Sequence, residues 1–156
     1  MDNYMETDVK QVLKKLQQIC SRQEKCASDI VDYLLRHQIP REHHASIIES
    51  LTSEKFIDEE RYARAAVQDK FRFNRWGKIK IRFFLRSKKI GDQVVEKAMA
   101  MIDDEEYKRM LEKEIKKKAL TLTRDDRETR MMKLLKFATS KGFEQEVVWP
   151  LLKNLT

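Results

Sequence analysis

The chain has 156 residues, 33 Lys and Arg against 26 Asp and Glu, and a formal net charge of +7. With 38% charged residues but only three glycines and two prolines, it excludes a turn-rich all-β fold and a Pro/Gly-rich disordered chain. Abundant Lys, Glu, Arg, Leu and Met favour helices, no apolar run approaches the ~18 residues of a membrane span, and two cysteines are too few for a disulfide framework, so a reducing cytoplasm is the expected setting.

In chain order, the opening Met1-Asp2-Asn3-Tyr4-Met5-Glu6 lacks the charged-then-apolar pattern of a signal peptide. Val9, Leu13, Leu16 and Cys20 then share one face of a helix over about 8–21, and Cys26, Ile30, Tyr33 and Leu34 mark a second over about 25–37. Pro40 sits where a third helix can begin, because its missing N–H is harmless in a first turn. In that third helix Ile39, His43, Ile47 and Leu51 are spaced by four, with His43 expected as a satisfied core histidine. The same spacing recurs at Ile90, Val94, Ala98 and Ile102, and again at Phe143, Val147, Leu151 and Leu155.

A second correspondence aligns Ile57-Asp58-Glu59-Glu60-Arg61-Tyr62 with Ile102-Asp103-Asp104-Glu105-Glu106-Tyr107. Each places a helix-capping Asp and early acids, which complement the helix dipole, ahead of an aromatic. The expected architecture is therefore all-α: three tandem three-helix units, 5–56, 57–102 and 103–156, forming an elongated, curved molecule. The second unit has helices near 58–72, 77–88 and 91–102. The third has helices near 103–120, 125–139 and 143–155. Trp149-Pro150 reads as a helix anchor, with the proline near the first turns or at a kink.

The positive charge is concentrated. Between Lys70 and Lys89 lie nine basic residues and no acid, leaving the rest of the chain at −2, and Phe71, Phe73, Trp76, Phe83 and Phe84 are interleaved among them. Localised cations among planar side chains suit a phosphate backbone or an acidic protein groove. A weaker basic cluster, Lys116, Lys117, Lys118, Arg124 and Arg127, is diluted by Asp125, Asp126 and Glu128.

Other chemistries are not encoded. The three glycines, Gly77, Gly91 and Gly142, are too far apart for a phosphate loop. Cys20, Cys26, His37, His43 and His44 fit no zinc spacing. The acid pairs Glu59/Glu60 and Asp103/Asp104 fall at helix starts, where capping accounts for them without acid–base catalysis. No catalytic residue, metal or cofactor is expected.

Phe56-Ile57-Asp58-Glu59-Glu60-Arg61-Tyr62-Ala63, then Lys70 through Gly77, then Ile81, Leu85 and Lys89-Ile90, resembles the central segment of the RecX regulators of recombination. That segment reads as a hydrophobic residue, acids, an aromatic and Ala, then a basic stretch, a Gly-containing turn, and a helix ending in Leu, basic residues and Ile. The chain departs from the pattern in three places. Lys89 stands where members often carry Gly, leaving helix termination to Gly91 or a longer turn. Glu59 replaces the more usual Asp. The helix bearing Ile79, Ile81, Phe83 and Phe84 is unusually apolar.

The resemblance implies a non-enzymatic monomer that binds RecA and lodges in the groove of its nucleoprotein filament. It implies suppression of ATP hydrolysis and strand exchange by RecA, direct contact with single- or double-stranded DNA in some members, and no membrane partner. Lys70, Arg72, Arg75, Trp76, Lys78, Lys80, Arg82, Arg86, Lys88 and Lys89 form the expected binding set. Arg72 and Arg75 lead it, because a guanidinium pairs bidentately with phosphate or carboxylate. Tyr62, Ile81, Leu85 and Ile90 are assigned to the core. The alternative is a sequence-independent nucleic-acid-binding helical-repeat protein without a RecA partner.

Overall fold

Helix starts are written into the sequence as capping residues. In the computed structural model, which describes the backbone of residues 2–155 and the side chains of residues 8–155, Asp58 accepts the Arg61 backbone N–H at 2.9 Å, Asp103 that of Glu106 at 2.9 Å, and Asp126 that of Thr129 at 2.7 Å. Each carboxylate satisfies a donor that the helix itself leaves unpaired. Among the described residues every regular element is helical: α1 (Asp2–Arg22), α2 (Ala27–Arg36), a 3-10 turn (Arg41–His43) running into α3 (His44–Ser53), α4 (Glu59–Arg72), α5 (Lys78–Ser87), α6 (Asp92–Met99), α7 (Asp104–Ala119), α8 (Arg127–Ser140) and α9 (Gln145–Leu155). Met1 and Thr156, the latter assigned to the third unit from sequence, lie outside the described residues, as do the side chains of residues 5–7 in the first.

Helix ends repeat as faithfully as the starts. Gln38, Lys89 and Gly142 close the second helix of successive triplets in the left-handed region, with φ of 57°, 61° and 96°. The next residue, Ile39, Ile90 or Phe143, returns its N–H to the carbonyl five positions back, on Leu34, Leu85 or Ala138, at 2.9, 3.2 and 3.1 Å. This is the left-handed cap that satisfies the last carbonyls of a helix and aims the following hydrophobe inward. Termination of α5 thus falls on Lys89 itself. Gly91, which the sequence offered as the stop, is instead the N-cap of α6, and its own N–H donates to Glu59 Oε1 at 2.9 Å.

The third-helix stripes need correction by one residue at their second position, while Ile47, Leu51, Ala98 and Ile102 are buried as expected. His43, Val94 and Val147 are only partly buried, while His44, Val95 and Val148 are buried. Ile39, Ile90 and Phe143 belong to the preceding cap rather than to the helix, so the helical phase restarts after them. The core histidine is accordingly His44, whose Nε2 sits 2.8 Å from the Ile39 carbonyl. Pro150 lies inside α9, beyond its first turn, and Trp149 beside it is exposed.

The helices pack as three successive triplets, α1–α3, α4–α6 and α7–α9, with the tightest pairings inside each. The joints between triplets differ. Leu16, Ile30, Leu34, Ile47 and Leu51 form a core of their own for the first triplet. The second and third share one continuous core, in which Phe71, Ile81 and Leu85 meet Tyr107, Leu111 and Phe143. Tyr107 lies 6.0 Å from Phe71 and 5.3 Å from Phe143, ring centre to ring centre.

At this second joint two glycines allow backbones to touch. A Cβ on Gly77 would fall well inside 3.0 Å of the Gly142 carbonyl and the Phe143 nitrogen. The N–H groups opening α5 take their acceptors from the third triplet: Gly77 donates to the Lys141 carbonyl at 2.8 Å, Lys78 to the Tyr107 hydroxyl at 2.9 Å and Ile79 to the Gly142 carbonyl at 3.0 Å. The Tyr107 hydroxyl in turn donates to Glu144. The first joint is polar by contrast: the Ser28 hydroxyl donates to the Lys88 carbonyl at 2.8 Å, Lys88 pairs with Asp29 at 2.8 Å and Arg61 with Glu24 at 2.7 Å.

Candidate partner-binding surface on the second triplet

The basic window spans the end of α4 (Lys70, Arg72), the turn to α5 (Arg75, Trp76), α5 itself (Lys78, Lys80, Arg82, Arg86) and its C-terminal cap (Lys88, Lys89). The fold thus gathers the set on two adjoining helices and the turns that bound them. It also supplies what the window lacks. Arg72 approaches Glu106 at 3.9 Å, Lys78 Asp104 at 3.4 Å, Arg86 Asp92 at 3.4 Å and Lys88 Asp29 at 2.8 Å. Arg82 grips Glu96 through both Nε (2.8 Å) and Nη2 (3.2 Å). That hydrogen bond holds the Glu96 carboxyl below the usual range and raises the Arg82 guanidinium.

Arg75 pairs with Glu114 on α7, which Lys141 also approaches at 3.5 Å. Glu114 is buried. Burial pushes its carboxyl up, but the Arg75 hydrogen bond and the charges of Lys141 and Arg75 outweigh that and hold it below its ordinary value. At the first joint, burial opposes and the Lys88 and Cys26 hydrogen bonds prevail to lower Asp29 in the same way. Arg75 and Lys88 are therefore structural at the two joints as well as basic, and charge reversal at Arg75 would act on the joint.

Among the described residues, no acid pairs with Lys70, Lys80 or Lys89. The ammonium groups of Lys70 and Lys80 lie over the half-buried Trp76 ring at 4.9 and 4.5 Å. Lys70 also covers Phe84 at 4.7 Å, and Phe84 meets Trp76 edge to face at 6.1 Å. Cations over an aromatic face contribute about 0.5–1 kcal/mol each when exposed, so this cluster keeps its positive charge while orienting it.

One apolar feature of this surface lies outside the expected binding set. Ile81 and Leu85 are fully buried, so helical geometry turns Ile79 and Phe83 outward, where they are 53% and 74% exposed. Phe73, which follows α4, is 82% exposed. The signal was available: once Ile81 and Leu85 are assigned to the core, the residues two positions earlier in each case face away from it.

The weaker basic cluster lies elsewhere, on the last turn of α7, the segment to α8 and the first residue of α8, where Lys116 pairs with Glu112 at 2.8 Å and Lys118 covers Phe137 at 5.6 Å. The acid pairs are structural: Asp103 caps α7, Asp104 meets Lys78, Glu59 accepts from Gly91, and Glu60 meets Lys97 at 3.4 Å. Among the described residues no three His, Cys, Asp or Glu side chains are grouped to hold a metal, and no helix is long and apolar enough to cross a membrane. Cys20 and Cys26 are both buried, and burial pushes the Cys20 thiol up.

These features have counterparts in known proteins. Residues 58–99, covering α4–α6, match the family model described as RecX, second three-helix domain. The regulatory protein RecX of Oceanobacillus iheyensis is 27% identical over 127 residues, covering 81% of this chain and 47% of the relative. That of Clostridium tetani is 29% identical over 133 residues, covering 84% and 61%, and that of Clostridium botulinum is 31% identical over 109 residues, covering 69% and 50%. The chain thus spans about half the length of these relatives. The crystal structure of RecX from Lactobacillus salivarius shares the fold with a TM-score of 0.84 at 20% identity, covering 96% of this chain and 97% of that one. A second crystal structure, of a regulatory protein RecX, aligns with a TM-score of 0.87 at 24% identity, covering 97% of this chain and 74% of the other. With its capped triplets, shared core and matched second unit, the chain belongs to the RecX family.

Proposed function

We propose that this protein is a non-enzymatic regulator that binds RecA and its nucleoprotein filament and inhibits RecA ATP hydrolysis, strand exchange and recombination. Its setting is the cytoplasm, within DNA repair and the SOS response. Membership of a family whose relatives are named regulatory proteins carries this reading. The surface chemistry supports it: Asp58 and Asp103 cap helices, Asp29 and Glu114 pair at the joints, both cysteines are buried, and the exposed chemistry of α4–α5 suits recognition.

The three units, taken as 5–56, 57–102 and 103–156, lie along the filament groove as a monomer. Contact with neighbouring RecA protomers favours one filament state by differential affinity, which blocks homologous duplex and hinders the rearrangement linked to ATP turnover. Moderate contacts on a frame stiffened by the shared core add through avidity. The Lys70–Trp76–Lys80 cluster supports a second reading, direct sequence-independent contact with DNA.

Titrating the protein into the cognate RecA on saturating single-stranded DNA tests the proposal. ATPase activity falls at substoichiometric to near-stoichiometric ratios. Unchanged ATPase together with no binding to RecA by anisotropy rejects it. Salt-sensitive DNA affinity with RecA activity unchanged selects the second reading.

A further inference from the structure

The outward face of α5 is apolar at its centre, and neither capping nor core packing accounts for it. Ile79 and Phe83 stand one turn apart at the centre of that face, opposite the buried Ile81 and Leu85. Lys80, which pairs with no acid among the described residues, borders them on one side. On the other lies Arg86, whose contact with Asp92 at 3.4 Å joins two exposed side chains and is easily exchanged. We infer that this face docks a protein segment of one chemistry, an amphipathic helix whose apolar residues cover Ile79 and Phe83 and whose flanking carboxylates meet Lys80 and Arg86. The inference rests on the proposed regulatory role and names the partner chemistry of its surface.

Charge complementarity selects this occupant. An apolar strip between cations is matched by an apolar strip between anions, and apolar anchors ringed by polar contacts dominate affinity at protein interfaces. A nucleic acid fits less well. An aliphatic Ile79 offers no stacking face to a base.

The test uses the full chain with three probes: a fluorescent synthetic helical peptide with leucines at i, i+3, i+4 and i+7 between glutamates, the same peptide with lysines for glutamates, and single-stranded oligo(dT). The acidic peptide binds in preference to the basic one, and Ile79→Ala with Phe83→Ala weakens it about tenfold or more while oligo(dT) affinity changes less than about twofold. Both side chains are exposed, so the double variant keeps its fold, which circular dichroism checks; Phe83→Leu retains most of the affinity. Absent acidic-peptide binding, or binding the double variant leaves intact, overturns the inference. A selective loss of oligo(dT) affinity overturns it in favour of base stacking. Self-association by sedimentation that the double variant abolishes overturns it in favour of a second copy of this chain. RecA inhibition is read in parallel. Inhibition undiminished in the double variant removes this face from the regulatory site and leaves the regulatory role standing. Peptide binding through Phe83 without any action on RecA removes the role and leaves the face.

Discussion

Replacing Gly77 by alanine is expected to force apart the second and third triplets. The new Cβ would meet backbone, not a flexible side chain: the Gly142 carbonyl and the Phe143 nitrogen, neither of which can rotate away. To reach ordinary van der Waals contact at 3.4 Å, the α8–α9 turn must retreat by about 1 Å. The Gly77–Lys141 and Ile79–Gly142 hydrogen bonds, now 2.8 and 3.0 Å, would then exceed 3.5 Å, and the Lys78–Tyr107 bond at 2.9 Å would be strained. At about 0.5–1.5 kcal/mol for each hydrogen bond, with donors left unsatisfied at the start of α5, the loss is about 2–4 kcal/mol. In a domain of this size that lowers the midpoint of thermal unfolding by about 4–15 °C.

Urea titration followed by circular dichroism measures the loss. Gly91→Ala is the internal control, because the nearest atom to its added Cβ is the flexible Glu59 Oε1 at 4.0 Å; it should cost less than about 1 kcal/mol. Gly142→Ala opens the same joint by driving a Cβ against the Lys80 backbone at a φ of +96°. The double variant should therefore cost less than the two single losses combined. A Gly77→Ala loss no larger than that of Gly91→Ala, or strict additivity with Gly142→Ala, would refute the reasoning.

Two further predictions follow from local geometry and charge. Lys89→Gly, at a φ of 61°, should stabilise by about 0.5–1 kcal/mol, because the left-handed conformation costs an L-residue about 1–2 kcal/mol and glycine returns only part of that as unfolded-state entropy; a lower thermal midpoint would contradict it. Glu114→Gln should cost about 1–2 kcal/mol at neutral pH, discounted because Arg75 and Lys141 are partly exposed. The folded-state carboxyl lies below its ordinary 4.5, so its contribution is complete above that value and fades as pH falls through the folded-state one. The gap between wild type and variant in urea titrations should close below about pH 4.5, and a gap constant from neutral to acid pH would rule the assignment out.

Much of the fold was legible because its signals are local. Asp58 and Asp103 cap as their position before early acids predicts, since a carboxylate needs only the next turn of its own helix. The recurrence of the third helices was legible too, though its phase was not: the hydrophobe that opens each stripe belongs to the preceding cap, and a single-residue reset moves the buried position from His43, Val94 and Val147 to His44, Val95 and Val148. Lys89 in place of the usual glycine hid the end of α5, because sequence alone does not reveal that a lysine holds a positive φ.

The proposed binding surface was legible as a location and not as a charge. By itself the sequence determined that the cations and aromatics between Lys70 and Lys89 fall on two successive helices and their turns, because periodicity and composition act over a few residues. Tertiary structure decided how much of that charge is taken up in ion pairs within the chain. Arg82 meets Glu96 14 residues away, Arg75 meets Glu114 39 residues away and Lys88 meets Asp29 59 residues away. Opposite charges interact appreciably only within about 8–10 Å in physiological salt, so which acids approach which bases depends on how the helices pack within and between triplets. The same packing buries Ile81 and Leu85, and thereby leaves Ile79 and Phe83 as the apolar centre of the surface.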